Sequence, residues 1–165
     1  MNLISYEYAS EKYASSFHEA VGAVAREKKF LASTEGFMLS SATSFVKRVV
    51  AENLSQYFAL SGGKVIGWCD IIPGPYEGLK HVGTLGMGIL AAYRNMSIGT
   101  KLMEMAISHA KSKNGIEKVE LEVFRTNENA IRLYRKFGFE TEGVRLNHRK
   151  LEGKYDDTLL MAKFI

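Results

Sequence analysis

The stretch Leu85-Gly86-Met87-Gly88-Ile89-Leu90-Ala91-Ala92-Tyr93-Arg94-Asn95-Met96-Ser97-Ile98-Gly99-Thr100 decides how the rest of the chain is read. Met87, Ile89 and Leu90 end an apolar, strand-like run, and Leu102, Met105, Ala106 and Ala110 then recur at helical spacing. The turn between them brings the unpaired N–H groups of a helix start and the positive end of its dipole to one point. Small residues at Ser97 and Gly99 let an anion approach that backbone closely. A phosphate or pyrophosphate is the natural guest of Arg94, Asn95, Ser97, Ile98, Gly99 and Thr100, with the arginine adding a charge-assisted hydrogen bond and Thr100 a hydroxyl. The competing reading is an ordinary helix start beside a surface arginine.

A second motif overlaps the first. Gly86-Met87-Gly88-Ile89-Leu90-Ala91 matches the dinucleotide fingerprint G-x-G-x-x-A letter for letter, but that fingerprint requires a helix to begin inside it. Here helical periodicity starts only near Ile98, and Glu120 and Glu122 lie too far on to serve as the ribose-binding acid. There is no G-x-x-x-x-G-K-[ST] run to support nucleotide triphosphate hydrolysis.

Downstream, the strand Val119-Glu120-Leu121-Glu122-Val123 leads to Asn127-Glu128-Asn129-Ala130-Ile131-Arg132-Leu133-Tyr134-Arg135-Lys136-Phe137-Gly138-Phe139. Asn127 suits a helix N-cap, Ala130, Ile131, Tyr134 and Phe137 fall at helical spacing, and Gly138 is placed to end the helix. Taken together, Arg94-x-x-Ser97-x-Gly99 and Asn127-x-x-Ala130-x-x-Leu133-Tyr134-x-x-Phe137-Gly138-Phe139 resemble the acetyl-CoA-binding core of the GNAT superfamily of N-acyltransferases. The likeness covers roughly Val82 to Phe139 and departs from the family's turn at Ser97, where glycine is usual.

The resemblance implies a mixed, mostly antiparallel sheet covered by helices on both faces, with acetyl-CoA as acyl donor. It implies that two central strands splay apart, so that the backbone at Met87 and Ile89 is free for the pantetheine arm. Gly88 between them fits a close backbone approach or a simple strand irregularity. Asn127 and Asn129 are cofactor contacts from the other side, unless Asn127 is only a cap. Tyr134 matches the family's thiolate-protonating tyrosine; a phenol of pKa about 10 carries its proton at neutral pH. Spacing alone would make it a core aromatic. For the base, Asp70, Glu77, His81 and Glu122 lie on or beside strands bordering the cleft; His81 is nearest neutrality and Glu122 could act through water. The alternative function is a non-catalytic acyl-CoA-binding or sensing module, in which Tyr134 merely packs.

The remaining chain sets bounds. Its 165 residues are enough for one domain with a sizeable core, and 46% hydrophobic with 24% charged residues is a globular composition. The formal charge of +4 is spread without a dense basic run, which argues against nucleic-acid binding. Cys69 alone allows no internal disulfide and no cysteine-based zinc site, and no metal is expected. Residues 1–8 lack a signal peptide's pattern and no run reaches membrane-spanning length, so the expectation is a cytoplasmic protein.

In order, the sequence predicts a strand over Asn2 to Tyr8, an amphipathic helix carrying Tyr13, Phe17, Ala20, Val21 and Val24, and a loop over Phe30 to Phe37 that reaches toward the substrate. A second helix is expected from Ser41 to Asn53 with Phe45, Val46, Val49 and Val50 inward. A hairpin turning at Ser61-Gly62-Gly63 follows, then a Pro73 to Gly78 link into the central strand. After the core, Phe139 to Leu151 and Tyr155 to Phe164 form a last hairpin that walls the acceptor pocket or makes a homodimer contact. The expected acceptor is the amine of a small molecule or a peptide N-terminus.

Overall fold

Period-two alternation produces seven strands, and in the computed structural model, which describes residues 3–165, they join in one sheet of order β1-β2-β3-β4-β5-β7-β6. The elements are β1 (Ile4–Tyr8), α1 (Ala14–Arg26), α2 (Leu39–Ala51), β2 (Ser55–Ser61), β3 (Lys64–Pro73), β4 (Val82–Ile89), α3 (Ile98–Asn114), β5 (Lys118–Phe124), α4 (Glu128–Lys136), β6 (Glu140–Leu151) and β7 (Lys154–Phe164). Asn2, expected at the start of the first strand, lies outside the described residues.

Five neighbouring strand pairs are antiparallel; β4 and β5 are parallel, with α3 as the crossover that a parallel pair requires. The hairpins turn on adjacent left-handed residues, Gly62 and Gly63 in one and Glu152 and Gly153 in the other, the conformation that matches strand twist.

Alternation also sorts side chains between two cores. On one face Ala59, Cys69, Ile71, Leu85, Val119 and Leu121 pack under α3 and α4. On the other, Phe58 and Trp68 pack under α1 and α2 with Phe17, Val21, Val46 and Val49. Phe17 anchors the second layer, its ring centroid 5.2 Å from Phe58 and 5.7 Å from Trp68. Such aromatic contacts each add about 0.5–1.5 kcal/mol beyond the area they bury.

Helix ends differ in detail from expectation. Ser10 occupies an N-cap position, but its side chain makes no capping bond and only a 3-10 turn follows it before α1. The second helix begins at Leu39 rather than Ser41, because the extended backbone of Met38 already supplies its first acceptors, to Ser41 and Ala42. Val50, expected inward, is 40% exposed; Val46 and Val49 fill the buried stripe and leave it on the flank. Among the described residues no helix is long and apolar enough to cross a membrane.

Candidate active site

The parallel ladder between β4 and β5 is short. It holds only Val82↔Lys118, Gly83↔Val119 and Thr84↔Glu120, whereas β4 stays paired with β3 out to Gly67↔Ile89. Past Thr84 the two central strands diverge. The N–H of Leu90 donates to the Ile66 carbonyl at 2.9 Å, on the β3 side. By alternation, Leu85, Met87 and Ile89 then direct their backbone groups away from β3, into the gap. A cleft of about 370 Å³ fills that gap and runs from Val24, Phe30 and Leu31 on one helix layer to Leu133 and Tyr134 on the other. The structure therefore brings Met87 and Ile89 to the cleft edge, with Gly86 and Gly88 between and beside them. The G-x-G-x-x-A lettering at Gly86 is strand, and no helix starts until Ile98.

The turn after β4 supplies the anion-facing wall. Asn95 and Ser97 both sit in the left-handed region, at φ 62° and 59°. That region disfavours side-chain-bearing residues by about 1 kcal/mol each, and it is the reason a glycine is at home at position 97. Ser97 makes no side-chain cap, and the first turn of the 17-residue α3 carries no acid. Ile98, Gly99 and Thr100 thus present first-turn N–H groups that lack intrahelical acceptors, and all three line the cleft. The Ile98 side chain belongs to the core beneath α3. A Cβ on Gly99 would stand 3.1 Å from both Leu133 and Met87, so glycine lets α3, α4 and β4 close around the cleft.

Arg94 reaches the cleft in an unexpected way. Its Nε donates to the Ile89 carbonyl at 3.0 Å, and its Nη1 and Nη2 donate to the two Glu27 oxygens at 2.8 and 2.5 Å. The guanidinium also lies 4.5 Å from the Phe30 ring centroid. Three of its five N–H groups are committed, and the side chain ties the end of α1 to the end of β4. The hydrogen bonds from Arg94 hold the Glu27 carboxyl below its usual range, against the opposing effect of burial. Glu27 was not legible as a site residue: its partner lies 67 residues away, and nothing local distinguishes it from other surface glutamates.

On the opposite wall, Asn127 is the N-cap of α4, its side-chain oxygen accepting from the Ala130 N–H at 3.3 Å, and it lines the cleft as well. Asn129 also borders the cleft and accepts a hydrogen bond from Arg132. The left-handed Gly138, at φ 83°, follows α4. Its placement turns the chain so that Phe139 packs beside Tyr134, ring centroids 6.0 Å apart. Tyr134 is 6% exposed and lines the cleft. Burial, with a smaller contribution from the Cys69 thiol, raises its pKa well above that of a free phenol, so the hydroxyl keeps its proton at any working pH.

The four base candidates are not brought together. His81 is exposed, and its carbonyl accepts from Glu117 and Lys118 at the end of β4 remote from the gap. Glu77 sits in an exposed 3-10 turn outside the cleft. Glu122 does line the cleft, half-exposed and paired with Arg145 of β6. Asp70 stands one strand away on β3, directly opposite Gly86. The last hairpin meets the segment after α1: Lys28 pairs with Glu152 at 3.2 Å and Arg149 donates to the Lys29 carbonyl at 2.9 Å. Among the described residues, no cluster of His, Cys, Asp and Glu side chains could hold a metal ion.

Comparison with known proteins agrees with this geometry. Residues 19–139 match the model of the Acetyltransferase (GNAT) family. The chain is 29% identical over 110 residues to the L-amino acid N-acetyltransferase AaaT of Escherichia coli, covering 67% of this chain and 68% of that one. It is 32% identical over 126 residues to an N-alpha-acetyltransferase of Sulfolobus acidocaldarius, covering 72% and 73%. A crystal structure of a GNAT-family acetyltransferase from Streptococcus pneumoniae superposes with a TM-score of 0.92 at 27% identity, over 99% of this chain and all of that one.

Proposed function

The chain belongs to the acetyltransferase (GNAT) family, and on that premise we propose that it moves an acetyl group from acetyl-CoA to the primary amine of a small molecule or a peptide N-terminus. The observation that carries this reading is the cleft itself, which joins the uncapped start of α3 to Tyr134 across the gap between β4 and β5. Acetyl-CoA supplies an activated thioester and a diphosphate. The N–H groups of Ile98, Gly99 and Thr100 bind the diphosphate at the positive end of the α3 dipole, and the left-handed turn at Asn95 and Ser97 leaves them clear. The edge of β4 that faces away from β3, at Met87 and at the Ile89 N–H, hydrogen-bonds the pantetheine amides while Arg94 holds the Ile89 carbonyl, and an N–H there faces the thioester oxygen as it gains charge. Asn127 and Asn129 line the opposite wall.

Tyr134 then gives its proton to the departing sulfur, which leaves as a thiolate when the C–S bond breaks. Arg94, held by Glu27 and Ile89, contributes by fixing the turn and the end of β4 in register. The relatives' names, one an L-amino acid N-acetyltransferase and the other an N-alpha-acetyltransferase, support an α-amino group as acceptor.

Purified protein with acetyl-CoA, presented with amino acids, polyamines, aminoglycosides and short peptides, tests the reading through free thiol release and the mass of the product. Amine-dependent release is the expected result. Tight acetyl-CoA binding without release to any amine would instead assign the chain as a binding or sensing module.

A further inference from the structure

We propose that the Asp70 carboxylate takes the proton from the acceptor ammonium, reaching the gap across the bare face of Gly86. The inference rests on the acetyl transfer just proposed and assigns its base. Asp70 and Gly86 face each other in the antiparallel pair of β3 with β4, and Oδ1 lies 3.1 Å from where a Cβ on Gly86 would stand. Gly86 lines the cleft, and Asp70 behind it is largely buried, with a minor part of its surface exposed. One pair further on, Trp68 lies over Gly88 so closely that a Cβ there would meet its ring at 2.3 Å. Both β4 positions on this face are therefore glycine beneath side chains reaching over from β3, both line the cleft, and the one at Gly86 carries the carboxylate over it.

The faces of the sheet sort acid from base. Asp70 shares its face with Trp68, Gln56 and Phe58, toward α1 and α2, whereas its neighbour Cys69 belongs to the face that holds Tyr134. An amine arriving from the α1 and α2 side meets Asp70, and the sulfur departs on the α4 side beside Tyr134. Among the described residues Asp70 has no ion pair, unlike Glu122, which Arg145 engages. Its partner across β2 is Gln56, completely buried, whose amide nitrogen and oxygen have no hydrogen-bonding partner. The buried stripes of α1 and α2 over this face are apolar, and the Cys69 thiol on the opposite face is raised by burial and by the neighbouring Asp70 charge. Burial pushes the Asp70 carboxyl up to about 7. That value suits an α-amino group, whose own pKa is about 7.7–8.0.

The protons balance. Asp70 accepts one from the ammonium, and the neutral amine attacks the thioester carbonyl. As the tetrahedral intermediate collapses, the C–S bond breaks and the sulfur takes the Tyr134 proton; the acylated nitrogen gives up its second proton, which restores the Tyr134 hydroxyl through solvent, and Asp70 releases its own proton to water before the next turnover.

The test is the pH profile of kcat/KM for an α-amino acceptor that the wild-type protein acetylates, alongside Asp70→Asn and Asp70→Glu. Wild type should lose activity as pH falls through about 7. Asp70→Asn should be about 10²-fold slower at neutral pH, keep its acetyl-CoA affinity by calorimetry, and recover tenfold per pH unit as the amine loses its own proton. Asp70→Glu should restore part of the rate. An Asp70→Asn profile parallel to wild type would overturn the assignment while leaving the acetyl transfer intact. A wild-type protein that acetylates no amine would overturn both. Folding is checked by thermal melting above pH 7, where Asp70→Asn should be at least as stable as wild type because it removes a buried charge.

Discussion

The two helix layers of this protein are built to different rules. Beneath α3 and α4, contacts that shape the cleft run through short sequence spans: a turn feeding α3, a cap at Asn127 and a tyrosine one helical turn before Gly138. Beneath α1 and α2, they join distant parts of the chain: Glu27 to Arg94, Lys28 to Glu152, Arg149 to the Lys29 carbonyl. In the proposed reaction, the wall assigned to the acyl donor is thus set by local backbone chemistry. The wall assigned to the acceptor is set by how separate segments meet, an arrangement in which loops can vary the acceptor while the donor stays fixed.

The largest effect that would break this comparison lies on the donor side. Tyr134→Phe keeps the ring in its packing against Phe139 and removes only the transferable proton, so turnover should fall about 10²–10⁴-fold with acetyl-CoA affinity unchanged. Single-turnover kinetics beside calorimetry measures both, and an unchanged chemical step would return Tyr134 to the role of a core aromatic.

The link between the layers comes next. The Arg94 and Glu27 side chains are 28% and 26% exposed and form a two-pronged pair, so solvent screens it less than a surface ion pair. A double-mutant cycle with Glu27→Gln and Arg94→Met should return a coupling of roughly 1–2 kcal/mol in unfolding free energy. Because the Glu27 pKa is lowered in the folded state, this stabilisation is present above the ordinary carboxylate range and is lost as pH falls through the lowered value. Additive effects at pH 7 would mean that the two layers are not fastened here.

The smallest expected effect sharpens the account of the turn. Ser97→Gly relieves a left-handed serine at φ 59°, so the melting temperature should rise by the equivalent of up to about 1 kcal/mol. Acetyl-CoA affinity should hold or improve, since the diphosphate contact is assigned to main-chain N–H groups. A destabilised variant would show that the serine hydroxyl makes a contact that outweighs the strain.

What the sequence determined by itself is the local part: seven alternating segments, the helical spacing after Ile98 and after Asn127, the hairpin turns, and the motif that carries the family resemblance. Such features depend on residues within one or two turns of each other, where periodicity and backbone preference act directly. Tertiary structure alone decided that the expected splay of β4 and β5 begins after Thr84, that Arg94 is held by Glu27, and that His81 lies away from the gap while Asp70 lies over Gly86. Those outcomes follow from sheet register and from charges meeting across 16 to 67 residues. No short window of sequence contains them, because a carboxylate's role is fixed by which neighbour is missing a side chain and which cation is near enough to claim it.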